Sequence, residues 1–215
     1  MKRIIALFLV IAALFSLSAC GKTYITEEGS CGKFAQWSLD SKGVLTISGR
    51  GAMEDFLIDG TPWEKQQDKV TSIVVEEGIT HLGDNSFRDF RKLTSVTLSA
   101  SVTSMGTFVF SQCGKLEEVI GLEYITMLND NAFDGCKKLS TITLSEELTA
   151  IGRCAFYGCE NLTTLRIPAS VTFIDSFAFY GWTAEQTVEL EADRVGRGWS
   201  DTWNTDSEAV FVFGA

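Results

Sequence analysis

A phenylalanine recurring every 23 residues constrains this chain more than any other feature: Phe87, Phe110, Phe133, Phe156 and Phe179 lie on one period. Five further apolar columns keep that register. Ile73, Val96, Val119, Ile142 and Leu165 form one, and Val75, Leu98, Leu144 and Ile167 another, which Gly121 interrupts. Leu93, Leu116, Leu139 and Leu162 form the next. Ile79, Val102, Ile125, Leu148 and Val171, with Leu82, Met105, Leu128, Ile151 and Ile174, complete the set. A unit this short cannot bury a core alone, so units must stack and share one with their neighbours. The period therefore predicts a β-rich solenoid with about five coils over residues 70–182. At a strand spacing of about 4.8 Å, five coils span roughly 24 Å.

Within one unit, the alternation Ile142-Thr143-Leu144 reads as a short parallel strand with the aliphatics inward and the threonine outward. Leu148 to Ile151 reads as a second extended piece, and Gly152 lets the chain turn. Ala155-Phe156 then reads as a tight turn or single helical turn that drives the ring into the coil. Residues 31–69 are expected to form an N-terminal cap containing a β-hairpin around Asp40 to Gly43. Residues 183–215 are expected to form a Trp-rich C-terminal cap ending in a strand at Val210–Phe213. All five tryptophans, Trp37, Trp63, Trp182, Trp199 and Trp203, stand outside the central repeats, as rings covering the open ends of a stack would.

The pattern Leu-x-x-Ile-x-Leu, a spacer, Ile-Gly, then Ala-Phe-x-Gly-Cys resembles the BspA-like class of leucine-rich repeats found on bacterial surface proteins. Its most specific segments are Asn131-Ala132-Phe133-Asp134-Gly135-Cys136 and Ala155-Phe156-Tyr157-Gly158-Cys159. Gly121 in an aliphatic column, Asn129 and Asp175 where glycine is usual, and Trp182 in the cysteine column depart from it. The resemblance implies surface display and an adhesion-like, non-catalytic binding role. It also implies that the first strand of each coil lines the concave face.

The amino terminus bears on location. Met1-Lys2-Arg3 precedes an apolar run from Ile4 to Leu17, fourteen residues long, which is short of the roughly twenty that cross a bilayer. Residues 1–19 therefore read as an export signal, and Leu17-Ser18-Ala19-Cys20 resembles a lipobox. Cleavage before Cys20 and acylation of its thiol would tether the protein to a membrane, with residues 20–30 as the tether. The expected location is the cell surface. Removing Lys2 and Arg3 leaves 16 Lys+Arg against 28 Asp+Glu, formally −12, which repels nucleic acid.

Catalytic chemistry finds little to build on. His81 is the only histidine and no nucleophile motif accompanies it. Gly49-Arg50-Gly51 is too short for a phosphate loop, and no cofactor motif is present. The pairs Glu76-Glu77, Glu117-Glu118 and Glu146-Glu147 recur in connecting segments and read as a solvated face. Cys113, Cys136 and Cys159 share a column with Phe90 and Trp182, so they read as buried apolar thiols, although coil spacing would permit disulfides. That spacing and the lack of histidine partners argue against a metal site.

What remains is a surface. The outward residues Val74, Thr97, Ile120, Thr143 and Arg166 form one row. Flanking rows hold Ser72, Ser95, Glu118, Thr141 and Thr164, and Glu76, Ser99, Leu122, Ser145 and Pro168. Ile120, Leu122 and Tyr124 make the most unusual cluster: an exposed apolar patch there would mark a protein or glycan partner, whereas Leu122 tucked under a distorted third coil would be packing alone. Trp199 and Trp203 form an alternative glycan site, since indole faces stack on sugars. A structural envelope scaffold without external ligand is the other reading.

Overall fold

The structure, a computed structural model, describes residues 22–215. The export signal and Cys20 lie outside the described residues. The chain opens with three antiparallel strands, β1 (Ile25–Ser30), β2 (Ala35–Asp40) and β3 (Val44–Gly49). Asp40 closes the β2–β3 turn by accepting bonds from the amides of Lys42 and Val44 at 2.8 and 2.9 Å. Gly43 occupies the left-handed region at φ +85°, where a Cβ would stand 2.4 Å from the Lys69 carbonyl oxygen.

From β3 onward every coil adds rungs in parallel. After β4 (Gly51–Ala52) come the paired short strands of successive coils: β5 (Ser72–Val75) and β6 (Ile79–Leu82), then β7 (Ser95–Leu98) and β8 (Ser104–Met105). Next are β9 (Glu118–Ile120) and β10 (Met127–Leu128), β11 (Thr141–Ile142) and β12 (Ala150–Ile151), and β13 (Thr164–Ile167) and β14 (Phe173–Ile174). The chain ends with β15 (Thr187–Leu190) and β16 (Val210–Phe213). The first strands stack as β3-β5-β7-β9-β11 and again as β13-β15-β16, with the ladder interrupted between β11 and β13. The second strands stack as β4-β6-β8 and β10-β12-β14.

The array is longer than the five units legible in the sequence. β15 and β16 continue the core columns in register, Leu165 above Val188 above Phe211. At the other end Leu45 pairs with Ile73, a spacing of 28 residues that leaves the first coil five residues longer than the others. Both flanking segments thus contribute rungs as well as covering the ends.

The Ala-Phe segments are a third ladder and contain no α-helix. The amides of Phe87, Phe110, Phe133 and Phe156 donate to the carbonyls of Val109, Ala132, Ala155 and Ala178 on the next coil. Each segment lies between two residues of positive φ: Asn85, Phe108, Asn131, Cys154 and Phe177 on one side, Asp89, Gln112, Gly135, Gly158 and Gly181 on the other. Those kinks end a helical turn before it can propagate and aim the amides along the solenoid axis. The rings follow. Trp63, Phe87, Phe110, Phe133, Phe156 and Phe179 form one continuous stack, with centroids 5.6 to 6.1 Å apart and planes within 17° of parallel.

The ends of that stack are closed edge-on. Trp37 meets Trp63 at 5.9 Å and 81°. At the other end Trp182, Trp203 and Phe211 each pack their edges or faces against Phe179 at 63° to 89°. An aromatic edge set against a face satisfies the ring quadrupole and stops the column from templating another ring.

Candidate functional site

The first-strand ladder presents its outward row to solvent as a series of stacked positions. Thr97, Ile120, Thr143 and Arg166 are exposed and Val74 is half-buried. Glu189 and Val212 extend the row beyond Arg166 in the same register. Arg166 is not free: its guanidinium bridges Glu146, at 2.7 Å, and Glu191. The bond to Glu146 and the nearby carboxylate charges hold the Arg166 pKa above its ordinary value.

Leu122 does not belong to this surface. It is 1% exposed, because Gly121 takes φ +97° and the chain enters a 3-10 turn over Leu122–Tyr124. A Cβ at Gly121 would lie 2.2 Å from the Leu98 carbonyl oxygen, so only glycine fits beneath the preceding coil. Leu122 then supplies the inward aliphatic that Gly121 lacks. Ser145 and Pro168 of the same expected outward row are also buried, so that row turns into the core at its third position. A glycine inside an aliphatic column, directly followed by leucine, is the sequence signal for this exchange.

The same distortion leaves Ile120 53% and Tyr124 46% exposed. Beside Tyr124 a shallow groove of about 530 Å³ runs between Glu123, Thr126, Thr143, Glu146 and Glu147, close to where the first-strand ladder is interrupted. Three carboxylates therefore flank the Tyr124 ring, one of them, Glu146, already paired with Arg166.

Trp199 and Trp203 are overturned as a sugar-stacking pair. They are 7% and 5% exposed, and their rings meet each other at 5.0 Å and 70°. Trp203 also packs against Phe179 and Phe211. Ring area already spent on the cap core is unavailable to a sugar.

The cysteine column proves to be a donor column. The thiols of Cys113, Cys136 and Cys159 donate to the carbonyls of Phe87, Phe110 and Phe133 at 3.0, 3.1 and 3.3 Å. Trp182, one period on, does the same with Nε1 to the Phe156 carbonyl at 2.8 Å. Cysteine and tryptophan thus share a position because each combines apolar bulk with one N–H or S–H. All five cysteines among the described residues are unbridged. Burial pushes the Cys113 thiol up to about 12, and raises Cys136 and Cys159 as well.

His81 bridges coils on the second ladder. Its Nδ1 lies 2.8 Å from Ser104 Oγ, one period on, while Nε2 is 3.8 Å from Asp55 Oδ1. That second distance is too long for the hydrogen bond that would orient an imidazole for base chemistry.

A family model described as BspA type leucine rich repeat region matches residues 65–186 in six copies. The fold is similar to that of a leucine-rich repeat protein from Eubacterium ventriosum ATCC 27560, with TM-score 0.68 and 28% identity over 86% of this chain. The match covers 46% of that protein, so this chain spans about half its length. It is also similar to the T. pallidum leucine rich repeat protein, with TM-score 0.60, 22% identity, and 85% and 80% of the two chains covered. A leucine-rich repeat protein from Bacteroides ovatus ATCC 8483 matches at TM-score 0.51 and 22% identity, over 75% of this chain and 47% of the other. Comparison with curated proteins gives no match.

Proposed function

Because this chain belongs to the BspA type leucine-rich-repeat family, we propose that it is a non-catalytic binding module, carried on the bacterial surface by a lipid on Cys20, whose strand face takes a protein partner. One observation carries the reading: Ile120 and Tyr124 stand 53% and 46% exposed where the neighbouring coils carry Thr97 and Thr143, and Ser101 and Glu147. Apolar and aromatic side chains left in water cost a monomer solubility and are recovered at an interface core. The carboxylates of Glu123 and Glu147 beside Tyr124, with Glu146 already paired to Arg166, favour a partner surface that joins an apolar knob to basic residues. Parallel ladders hold such a surface rigid, so little ordering entropy is lost when a partner docks.

The test compares the wild-type chain with an Ile120→Asp, Tyr124→Ala double variant as baits in envelope and host-matrix extracts. Both positions are exposed, so stability should change by no more than about 0.5 kcal/mol each. Capture of at least one protein should be lost, with affinity reduced roughly 30-fold or more if the pair forms an interface hot spot of about 2 kcal/mol. Identical capture by the two baits would sink the assignment of this face. The anchor has its own measurement: Cys20→Ala should move the protein from the membrane to the soluble fraction, and continued membrane retention would refute acylation.

A further inference from the structure

The aromatic column is closed at both ends, but the strand ladder is protected at only one. At the amino-terminal edge β1 carries Glu27 and Glu28 and a register shift between Ile25 and Glu27. Lys69 and Gln66 hold the Glu27 carboxylate in place. Charge and a bulge on an edge strand keep another strand from adding to it. At the other edge β16 reads Val210-Phe211-Val212-Phe213, with neither charge nor proline nor register shift, and among the described residues it pairs with β15 alone.

Burial falls where the next neighbour would stand. Along one inward column Leu165 and Val188 are buried, and Phe211 on the last rung is only half-buried. Along the other, Ile167 and Leu190 are buried and Phe213 is 36% exposed. Val210 and Val212 are exposed on the outward side. The backbone has the same one-sidedness. The Val210 amide donates to the Gln186 carbonyl at 2.9 Å, and along a strand the N–H and C=O of one residue turn to one neighbour while those of the next turn to the other side. Val210 and Val212 therefore bond to β15, and Phe211 and Phe213 direct their amides and carbonyls out of the open edge.

That edge is complementary to itself. Two β16 strands can lie antiparallel with Val212 facing Val212 across a two-fold axis normal to the sheet. Phe211 then stands opposite Phe213 of the second copy, and each such pair exchanges both N–H···O bonds, which satisfies every open group on both strands. Phenylalanines meet on the inward face and valines on the outward face, whereas a slip of one residue would set one copy's inward residues against the other's outward ones. Residues 209–215 carry no ionisable side chain, so no like charges are brought opposite each other. Glu189, one strand back beside Val212, would stand three strand spacings from its counterpart, about 14 Å, which is beyond the Debye length of about 8 Å.

We propose that β16 is a self-association edge through which two copies of this chain join tail to tail, merging their β13-β15-β16 sheets into one. The charged, bulged β1 blocks head-to-tail addition, so assembly stops at the pair. Because β1 and β16 lie at opposite ends of the solenoid, the two amino-terminal ends point away from each other. The pairing rests neither on acylation of Cys20 nor on the Ile120–Tyr124 face.

A contact of one short strand belongs to the small interfaces, below about 1,200 Å², so the pair should form at tens of micromolar. Light scattering on the purified full-length chain in detergent at that concentration should give twice the monomer's protein mass. Val212→Lys sets two ammonium groups face to face at the axis and should weaken pairing about tenfold or more, with Tm of the monomer unchanged because the position is exposed. Val212→Cys should give a disulfide-linked dimer on mild oxidation, since facing residues of a non-hydrogen-bonded pair have Cα atoms about 4.5 Å apart. Val210→Cys should not, because its two copies would stand about 13 Å apart along the strands. The wild-type chain, in which Cys154 is half-buried, sets the background for native thiols. A wild-type monomer at tens of micromolar overturns the proposal. So does a dimer indifferent to Val212→Lys, or cross-linking as efficient through Val210→Cys as through Val212→Cys.

Discussion

Phe133→Ala is expected to remove about 3–5 kcal/mol of folding stability, with up to about 1 kcal/mol more from each of the two broken ring pairs. Phe133 is fully buried at the middle of the six-ring column, 5.6 Å from Phe110 and 5.7 Å from Phe156. Its backbone cannot close over the cavity, because its amide and the Phe110 amide are both committed to inter-coil bonds with Ala155 and Ala132. Against a typical total of about 5–15 kcal/mol, a loss of this size is a large fraction. A solenoid couples its ends only through successive neighbours, so weakening the middle interface should also separate the unfolding of the two halves. Urea denaturation followed by circular dichroism and by tryptophan fluorescence should show the midpoint falling and the two probes ceasing to coincide. Tryptophan is suited to this purpose because all five indoles sit toward the ends. A shift below about 1.5 kcal/mol would mean that the column relaxes far more than its backbone ladder allows.

Raising the pH above about 9 should destabilise the fold steeply through the core thiols. Cys113, Cys136 and Cys159 are fully buried, and desolvation of the thiolate holds all three above their ordinary value of 9.0. In the unfolded chain they lose protons near that ordinary value, whereas the folded chain keeps them. The unfolded state then binds fewer protons, so stability falls as pH rises. The contribution is fully present below about pH 9 and is lost toward the folded value, about 12 for Cys113. Each thiol can contribute at most about 1.4 kcal/mol per pH unit, so three reach about 4 kcal/mol per unit in the limit. Thermal melts in reductant between about pH 8 and pH 10.5 should show an accelerating fall in Tm. Cys136→Ala should start from a lower Tm and lose it less steeply, having one thiol fewer to titrate. A flat profile would show that the thiols ionise without unfolding the core.

These two effects bear on how such a chain can act as a binding surface. The aromatic column and the donor thiols serve the interior alone, and the outward rungs are therefore free to vary. Thr97, Ile120, Thr143 and Arg166 occupy equivalent positions with three different chemistries, yet Thr97 and Ile120 pair in the same ladder. A partner reads the rungs while the period holds the shape.

The 23-residue period determined the solenoid, its inward and outward positions and the burial of the phenylalanine column, because a repeating apolar pattern admits only stacking as a way to bury itself. It also placed Trp199 and Trp203 near the end of the stack. Whether their rings faced a ligand or the core depended on Phe179 and Phe211, neighbours that only the folded end brings together. Leu122 takes the buried one of its two sequence readings for a related reason. Periodicity assigns side chains on the assumption of an unbroken strand, and the left-handed turn at Gly121 shifts the inward position by one residue. The unpartnered oxygens of Thr61 and Asn85 are not legible in the sequence, since they lie where the first coil departs from the period and are defined by what does not reach them. A repeat in sequence specifies which atoms must be buried together. Polar groups at its irregularities acquire partners, or lack them, only through distances that the tertiary structure sets.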